Sequence, residues 1–520
     1  MNQNEPVLNR IKNLSWRKSN CWFWISLIIW MLGIGGSDLY AVPALIGLIL
    51  LFKELILNND PLPFSSISFN HSIVKILYVL LIFMVLAKTL LSLYSFKWNI
   101  YDVGSYSSVV FNLSNGLNFN SFLQVPATAD HFTPSLALFV PFYWITATVH
   151  WLTFAKALSY LSVPLVVYFW LNNKAEKNHR FVISCLFGLW MLMLYRPAVR
   201  SSFFEFSPSS LAPPFIILSF FLMGKKRWFL FSITMLFILG LKEHMGVVLT
   251  GFGLYRILQK NFRTGIIFTT IGLCVTYIMI FHLMPYFRDY QVFGNTQIAP
   301  FQDITGKAVY IVKLLWPLGF LPLIFWRYGV LAAPAIGVNL ISGRPGMYST
   351  TYHYDDISST LLLMSCALIL IEKRTILAEW LGKKWLKGAF IIFLVGLIAQ
   401  LPASPSRKLR YAVPDSLHFK LVEDIWSFDK NYPNDSLAVQ STIGPHIHRN
   451  NITIMALHHS GKCIPPQVNK GPVKFILLSQ DVGHYMINNI ENCINFLEEH
   501  PAFKRLSNFQ HLIVYERSAI

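Results

Sequence analysis

The chain has 520 residues, of which 54% are hydrophobic and only 13% are charged. Soluble domains carry about 25% charged residues, so the composition excludes an ordinary soluble protein and favours an integral membrane protein. The net charge of +18 does not indicate a nucleic-acid partner, because Lys and Arg lie in short loops between hydrophobic runs, as the positive-inside rule describes for cytoplasmic loops.

Apolar runs recur to about residue 402, and the longer ones are sufficient to cross ~30 Å of hydrocarbon as helices. We predict about 13 crossings that start from a basic, cytoplasmic N-terminus whose first apolar segment is a retained anchor. The predicted crossings are 21–36, 40–57, 73–96, 155–171, 181–196, 209–223, 228–242, 244–257, 265–285, 309–325, 328–341, 358–371 and 387–402.

The segment 134–152, "PSLALFVPFYWITATVHWL", is also long enough to cross a membrane. If it lies along the outer interface instead, the predicted inner segments carry 19 Lys and Arg and the outer segments before residue 403 carry seven. Its prolines and its Trp and Tyr residues also favour an interfacial helix. The sequence therefore predicts one long outer loop over 97–154.

The tail, 403–520, begins with a proline-containing linker and continues with short apolar strands, "SLAVQST", "ITIMAL", "KFILLS" and "HLIVYE". Helical stretches such as "YMINNIENCINFLEEH" alternate with them, which predicts a small α/β domain in the periplasm. The predicted organisation is a tail with two additional transmembrane helices over 1–72, a transmembrane domain over 73–402, and this domain. Cys463 and Cys493 form a disulfide if the tail is periplasmic.

The polar groups of the membrane part concentrate in the outer loops. The pair Lys242-Glu243 interrupts two apolar runs, where a charge near the centre costs ~2.5–3.5 kcal/mol; helix-end snorkelling or mutual pairing is the alternative. Asp102 can instead cap a helix, His131 can hydrogen-bond a turn, and Glu205 can be solvated. The candidate site residues are Asp102, His131, Arg200, Glu205, Lys242, Glu243, Arg344, His353, Tyr354 and Asp355.

Several of these residues lie in segments that occur in a fixed order: "YDVGSYSSVVFNLSNGLNF", "DHFTPSLALFVPFYWI", "FEFSPSSLAPPFIILSFFLMGKKRWF", "LGFLPLIFWRYGVLAAPAIGVNLIS" and "YHYDD". Over roughly 75–480 the chain resembles the bacterial membrane family called domain of unknown function 2079. The layout of that family resembles the GT-C glycosyltransferases, polytopic enzymes that take a sugar from a polyprenyl-phosphate donor in the outer leaflet. The family pattern has a His where Ser207 stands here.

The resemblance implies a mainly α, polytopic, GT-C-like protein of the bacterial inner membrane. It also implies an inverting transferase with a lipid-linked sugar donor, an acceptor that the sequence does not identify, and Asp102 as general base. Arg200, Lys242 and Arg344 are candidates for binding the donor phosphate. The remaining candidates orient substrates or a divalent metal: His131, Glu243, His353 and Asp355, with Glu205 and Tyr354 as further substrate contacts. A transporter or flippase, and a non-catalytic membrane scaffold, are the alternative functions.

Overall fold

The computed structural model describes residues 68–172, 177–287, 298–382, 405–455, 467–468, 471–483 and 490–518. The predicted crossings 21–36, 40–57 and 387–402 lie outside these residues.

The described part of the chain before the tail is helical. In chain order its α-helices are α1 Ser68–Tyr94, α2 Ser105–Ser114, α3 Ala127–Asp130, α4 Val140–Ile145, α5 His150–Trp170, α6 Lys177–Leu189, α7 Arg196–Phe203, α8 Ala212–Gly224, α9 Trp228–Leu239, α10 Gly246–Leu258, α11 Phe262–Ile278, α12 Met284–Phe287, α13 Ile304–Leu315, α14 Leu321–Ile324, α15 Trp326–Gly329, α16 Ala333–Ile341, α17 Asp356–Glu372 and α18 Arg374–Gly382. Short 3₁₀ or π-helical turns extend several of them.

Two stretches of the described chain are long and apolar enough to cross a membrane, His150–Trp170 and Phe262–Phe287. A third candidate is the pair Arg196–Phe203 and Pro208–Gly224, which is bent by 111° at the intervening loop. The prediction of 13 crossings is therefore not confirmed. The predicted crossings 309–325 and 328–341 are broken into short pieces, because prolines at 317, 322 and 334 remove backbone donors.

Helices α10 and α11 pack with their backbones close together. A Cβ added to Gly272 would collide with the backbone of α10 at Gly246 and Thr250, and one added to Gly253 would collide with Thr269. Small residues at such a seam are typical of helix pairs in membranes. The other face of α11 leaves large apolar side chains exposed, as a lipid-facing helix requires; Ile266, Ile267, Ile271 and Leu273 are among them.

The predicted interfacial segment 134–152 forms two short helices rather than one. Pro134–Phe139 is a 3₁₀ helix that α4 continues, and the next helix, α5, begins at His150. Leu138, Trp144 and Ile145 are exposed, which suits contact with lipid. The last three residues of the predicted segment thus belong to the following membrane-spanning helix.

The tail contains α19 Pro405–Arg410, α20 Ser416–Asn431 and α21 Ile490–Glu499. Its strands are β1 Leu437–Val439, β2 Ile452–Ile454, β3 Gln467–Val468, β4 Gly471–Pro472, β5 Phe475–Leu478, β6 Phe503–Leu506 and β7 Ile513–Arg517. Five of them form a mixed sheet in the order β2-β1-β5-β7-β6, in which β1 pairs in parallel with β2 and β5. All four strands expected from the sequence are present. Cys493 is disulfide-bonded, and its expected partner, Cys463, lies outside the described residues.

The tail shares a hydrophobic core with the outer loop. Phe96, Ile100 and Phe122 of the loop pack with buried residues of α20 and of the sheet. The Ile100 amide donates a hydrogen bond to the Ser441 carbonyl oxygen (2.9 Å), and Thr453 Oγ1 donates one to the Phe122 carbonyl oxygen (3.1 Å). The loop that carries Asp102 is therefore held from both sides, by the helices and by the tail.

Candidate functional site

Asp102 lies in a π-helical turn, Ile100–Gly104, which begins six residues after the end of α1 at Tyr94. The residue that caps this turn is Asn99, whose side-chain oxygen accepts a hydrogen bond from the Tyr101 amide (2.7 Å). The carboxylate of Asp102 makes no hydrogen bond to any residue that the structure describes, and the side chain is half-buried. Asn99 therefore performs the capping role considered for Asp102. The Asp102 carboxylate has no hydrogen-bond partner among the described residues.

Burial moves the pKa of the Asp102 carboxyl toward neutral pH. Burial raises the pKa of Asp102 to about 6, against the opposing attraction of Lys242, His131 and Lys156. Such a carboxylate is ionised at neutral pH, yet it is more basic than an exposed aspartate, as a general base for a hydroxyl requires.

His131 and Glu243 form the most direct contact between two predicted site residues. His131 Nδ1 lies 3.1 Å from Oε1 and 3.3 Å from Oε2 of Glu243. Burial acts to raise the pKa of Glu243, but His131 and Lys242 hold it well below its usual range. The ring of His131 stacks on Tyr106 of α2 with centroids 5.9 Å apart. As expected, Lys242 and Glu243 face the protein; the Lys242 side chain is only 5% exposed.

Glu205 is fixed by hydrogen bonds within the protein. Its Oε2 accepts from the Asn99 amide (3.0 Å) and its Oε1 accepts from Asn99 Nδ2 (2.7 Å). The carbonyl oxygens of Phe204 and Glu205 accept from Lys156 Nζ (2.8 and 2.7 Å), and that of Phe203 accepts from Lys88 Nζ (2.7 Å). The carbonyls left free where α7 ends are thus satisfied by two lysines, the buried Lys156 and the half-buried Lys88.

The loop Tyr352–Asp356 places its two acids in different hydrogen-bond networks. Tyr310 OH donates to Asp355 Oδ1 (2.6 Å), while Tyr160 OH and Ser209 Oγ donate to Asp356 (2.6 and 2.9 Å). His353 is buried, and its ring packs 4.5 Å from that of Tyr354. Burial lowers the pKa of His353 well below its usual range, so this ring is neutral at pH 7.

The predicted site residues fall into three groups. The first surrounds Asp102 and contains His131, Lys242 and Glu243, together with Tyr354, whose pKa is raised by burial and by the charge of Asp102. Glu205, His353 and Asp355 are buried in the framework beside this group. Arg200 and Arg344 are exposed, and of the two only Arg344 acts on Tyr354.

Sequence reasoning did not identify three residues that organise the site. Tyr106 stacks on His131, Asn99 holds Glu205, and Lys156 binds the carbonyls at the end of α7. A lysine inside an apolar run was the one available signal for Lys156, and Lys88 carries the same signal. Among the described residues, no three His, Cys, Asp or Glu side chains are grouped so as to hold a metal ion.

The fold and this cluster define a mainly helical membrane protein with polar groups gathered beside the loop 97–154. A family model described as predicted membrane protein (DUF2079) matches residues 92–450, more than half of the chain, and the chain belongs to that family. No curated protein sequence matches the chain.

The structure is similar to the crystal structure of ArnT from Cupriavidus metallidurans bound to undecaprenyl phosphate. The TM-score is 0.50 at 11% sequence identity, and the match covers 86% of this chain and 98% of that chain. At this identity the similarity establishes the fold, and it agrees with the GT-C resemblance read from the sequence.

Proposed function

We propose that this protein is a glycosyltransferase that uses a polyprenyl-phosphate-linked sugar at the outer face of the bacterial inner membrane. The observation that carries the proposal is the Asp102 carboxylate, which lies just after a membrane helix and has no hydrogen-bond partner among the described residues. A free carboxylate at that depth is available to a substrate whose phosphate is anchored at the lipid surface.

In the proposed reaction the Asp102 carboxylate takes the proton from an acceptor hydroxyl as its oxygen bonds to the anomeric carbon of the sugar. The bond from that carbon to the phosphate oxygen breaks on the opposite face, and polyprenyl phosphate leaves with the bonding electrons. The configuration at the anomeric carbon is inverted. Lys242, buried and close enough to act on Asp102, favours the ionised form of that carboxylate, which is the form that acts as a base.

The fold similarity supports a lipid-phosphate substrate, since the structure of ArnT that matches contains undecaprenyl phosphate. A transporter requires polar groups through the thickness of the membrane. Here Lys88 of α1 and Lys156 of α5 are engaged with backbone carbonyls at the end of α7, which favours an enzyme over a transport path.

The experiment that tests the proposal uses purified protein, a radiolabelled polyprenyl-phosphate sugar and an extract of cell-envelope acceptors. Wild-type protein is expected to release free polyprenyl phosphate and to label an acceptor, and Asp102→Asn is expected to do neither. Asp415→Asn, which alters an exposed helix cap in the tail, is the matched control, because Asn caps a helix about as well as Asp. Full transfer by Asp102→Asn rules out the proposed base.

The proposed orientation places the N-terminus in the cytoplasm and the tail in the periplasm. The disulfide at Cys493 supports an oxidising compartment for the tail. Reporter fusions after residue 176 and in the tail after residue 455 should give opposite signals. Matching signals would mean that both positions lie on the same side of the membrane, and this orientation would be wrong.

A further inference from the structure

A small cleft with a cavity volume of about 10 Å³ opens beside the end of α7. It is lined by α1, α5 and the loop that follows α7, and it contains Lys88, Lys156 and the ring of Phe203. Lys88 and Lys156 already donate to the carbonyls of that loop, and Glu205 offsets part of the charge of each. The two lysines of the cleft are therefore already hydrogen-bonded to the protein.

Lys408, on α19, is the exception to this balance. Its Nζ lies 4.1 Å from the centroid of the Phe203 ring, is buried, and has no hydrogen-bond acceptor among the described residues. The charges that act on it are all positive, from Arg200, Lys88 and Lys156, and they and burial lower the pKa of Lys408 well below its usual range. The segment 383–404 that precedes α19 contains no Asp or Glu in its sequence.

Arg200 lies at the last turn of α7 and is exposed. No described residue accepts a hydrogen bond from its guanidinium, which acts on Lys408, so neither of these two cations has a hydrogen-bonded counter-charge in the described structure. A buried cation without a partner is costly, and an anion that pairs with it recovers part of that cost. Guanidinium and ammonium groups together are the donors that proteins use for phosphate.

We propose that Lys408 and Arg200 bind a phosphate-class anion beside Phe203, which lines this cleft, with Lys88 and Lys156 adding positive potential from inside it. The Lys408 side chain rotates from the face of Phe203 toward the anion when it binds. The inference rests on the proposed function in one respect, since it assigns the phosphate of a lipid-linked donor to Arg200 rather than to Arg344. The second residue that binds the anion with Arg200 is Lys408, which the sequence did not indicate.

The first test measures binding to the full-length protein in detergent, with no sugar acceptor present. The probes are undecaprenyl phosphate and inorganic phosphate. Lys408→Gln and Arg200→Gln are each expected to raise the Kd for the anion about ten- to a hundredfold, the range for loss of one charge-assisted hydrogen bond. Lys420→Gln, which removes an exposed lysine of α20, is the control and should bind as wild type does.

Competition between the two probes shows whether the site binds a lipid head group or free phosphate. If inorganic phosphate does not displace undecaprenyl phosphate, the site takes the lipid head group; if it does, the site takes free phosphate. Unchanged Kd values for both probes in both variants overturn the proposal. Because binding is measured without transfer, a protein that binds but transfers no sugar contradicts the proposed enzyme and leaves this site standing.

The second test measures thermal stability, which separates an anion site from a purely structural lysine. In phosphate-free buffer Lys408→Gln should unfold at the same temperature as wild type or higher, because it removes an unpaired buried cation. Added phosphate probe should raise the unfolding temperature of wild type more than that of the variant. A variant that unfolds at lower temperature and shows the same ligand-induced rise indicates that Lys408 only packs on Phe203, which overturns the proposal.

Discussion

His131 Nδ1 lies 3.1 Å from Glu243 Oε1, and this contact joins two loops that are 112 residues apart in the chain. The pair connects the outer loop, which carries Asp102, to the turn between α9 and α10. Tyr106 stacks on the ring of His131. The imidazole is therefore held by two contacts, and it lies close enough to Asp102 to act on its carboxylate.

The first prediction concerns this pair. Glu243→Gln should lower the free energy of unfolding by about 1–3 kcal/mol, because it removes the charge from a hydrogen bond in a largely buried place. His131→Gln should have a comparable effect, and the double variant should cost less than the sum of the two. A double-mutant cycle on unfolding measures the coupling, expected at about 0.5–3 kcal/mol. Additive effects would show that the contact does not stabilise the protein.

The second prediction concerns Glu205 and its clamp on Asn99. Glu205→Gln places an amide where a carboxylate oxygen accepts a hydrogen bond from a buried donor, so it should destabilise the protein by about 1–3 kcal/mol. Asn99→Ala should destabilise it to a similar degree, and unfolding curves of the two variants measure both effects. Normal stability of Glu205→Gln combined with loss of transfer would instead assign Glu205 to substrate, as the sequence suggested.

The sequence predicted best where the physical cause is local. The apolar runs at 228–242 and 244–257 correspond to α9 and α10, and the alternating tail corresponds to the mixed sheet. The sequence-based prediction was poorest around residues 316–341. There, prolines divide the apolar runs into short helices, whereas a count of apolar residues predicts complete crossings. Continuous hydrophobicity shows that a segment avoids water, but it does not show that the helix is unbroken.

The sequence identified the acidic residues of the candidate site, but it did not identify the residues that hydrogen-bond to them. Asp102 was identifiable because the resemblance implies an acidic residue soon after a membrane segment. Its neighbour Asn99 was not, because the residue it binds, Glu205, is 106 positions away. Long-range hydrogen bonds of this kind leave no pattern in a single sequence, so the distinction between a free carboxylate and a clamped one required the structure.

The third prediction concerns the seam between α10 and α11. Gly272→Leu should separate the helices, because even a Cβ at this position collides with the backbone of Gly246. We expect loss of folded protein in the membrane or a destabilisation of several kcal/mol. Gly224→Leu is the control, since a Cβ added there meets no atom within 4 Å. Folded yield and unfolding temperature measure both variants, and equal behaviour would show that the close approach is not required.

The fourth prediction concerns the histidines between the tail and the outer loop. His448 Nε2 lies 2.9 Å from Ser107 Oγ, and the His446 ring packs 4.6 Å from that of Phe96. Burial lowers the pKa of His446 to about 3 and of His448 to about 4, from 6.5 in an unfolded chain. Both rings therefore stay neutral in the folded protein while the unfolded chain binds protons below pH 6.5.

This difference in proton binding sets the direction in which stability changes with pH. The stability contributed by the neutral rings is complete above pH 6.5 and decreases as the pH falls toward 4, by roughly 1.4 kcal/mol per pH unit for each histidine. Unfolding of the tail at pH 7.5 and pH 5 measures the loss. His448→Gln keeps a side-chain donor for Ser107 but does not titrate, so its stability should depend less on pH. An unchanged pH dependence in that variant contradicts the assignment.

The final prediction concerns the pH dependence of sugar transfer, if Asp102 is the base. A base must be unprotonated to act, and burial raises the pKa of Asp102 to about 6, so the rate should rise with pH through about 6 and level off above it. Lys242 opposes that rise in pKa. Lys242→Gln should therefore move the acidic limb of the rate profile to higher pH, whereas the control Lys420→Gln should leave it in place. A limb that stays near pH 6 in Lys242→Gln, with transfer intact, would mean that a different group titrates in the reaction.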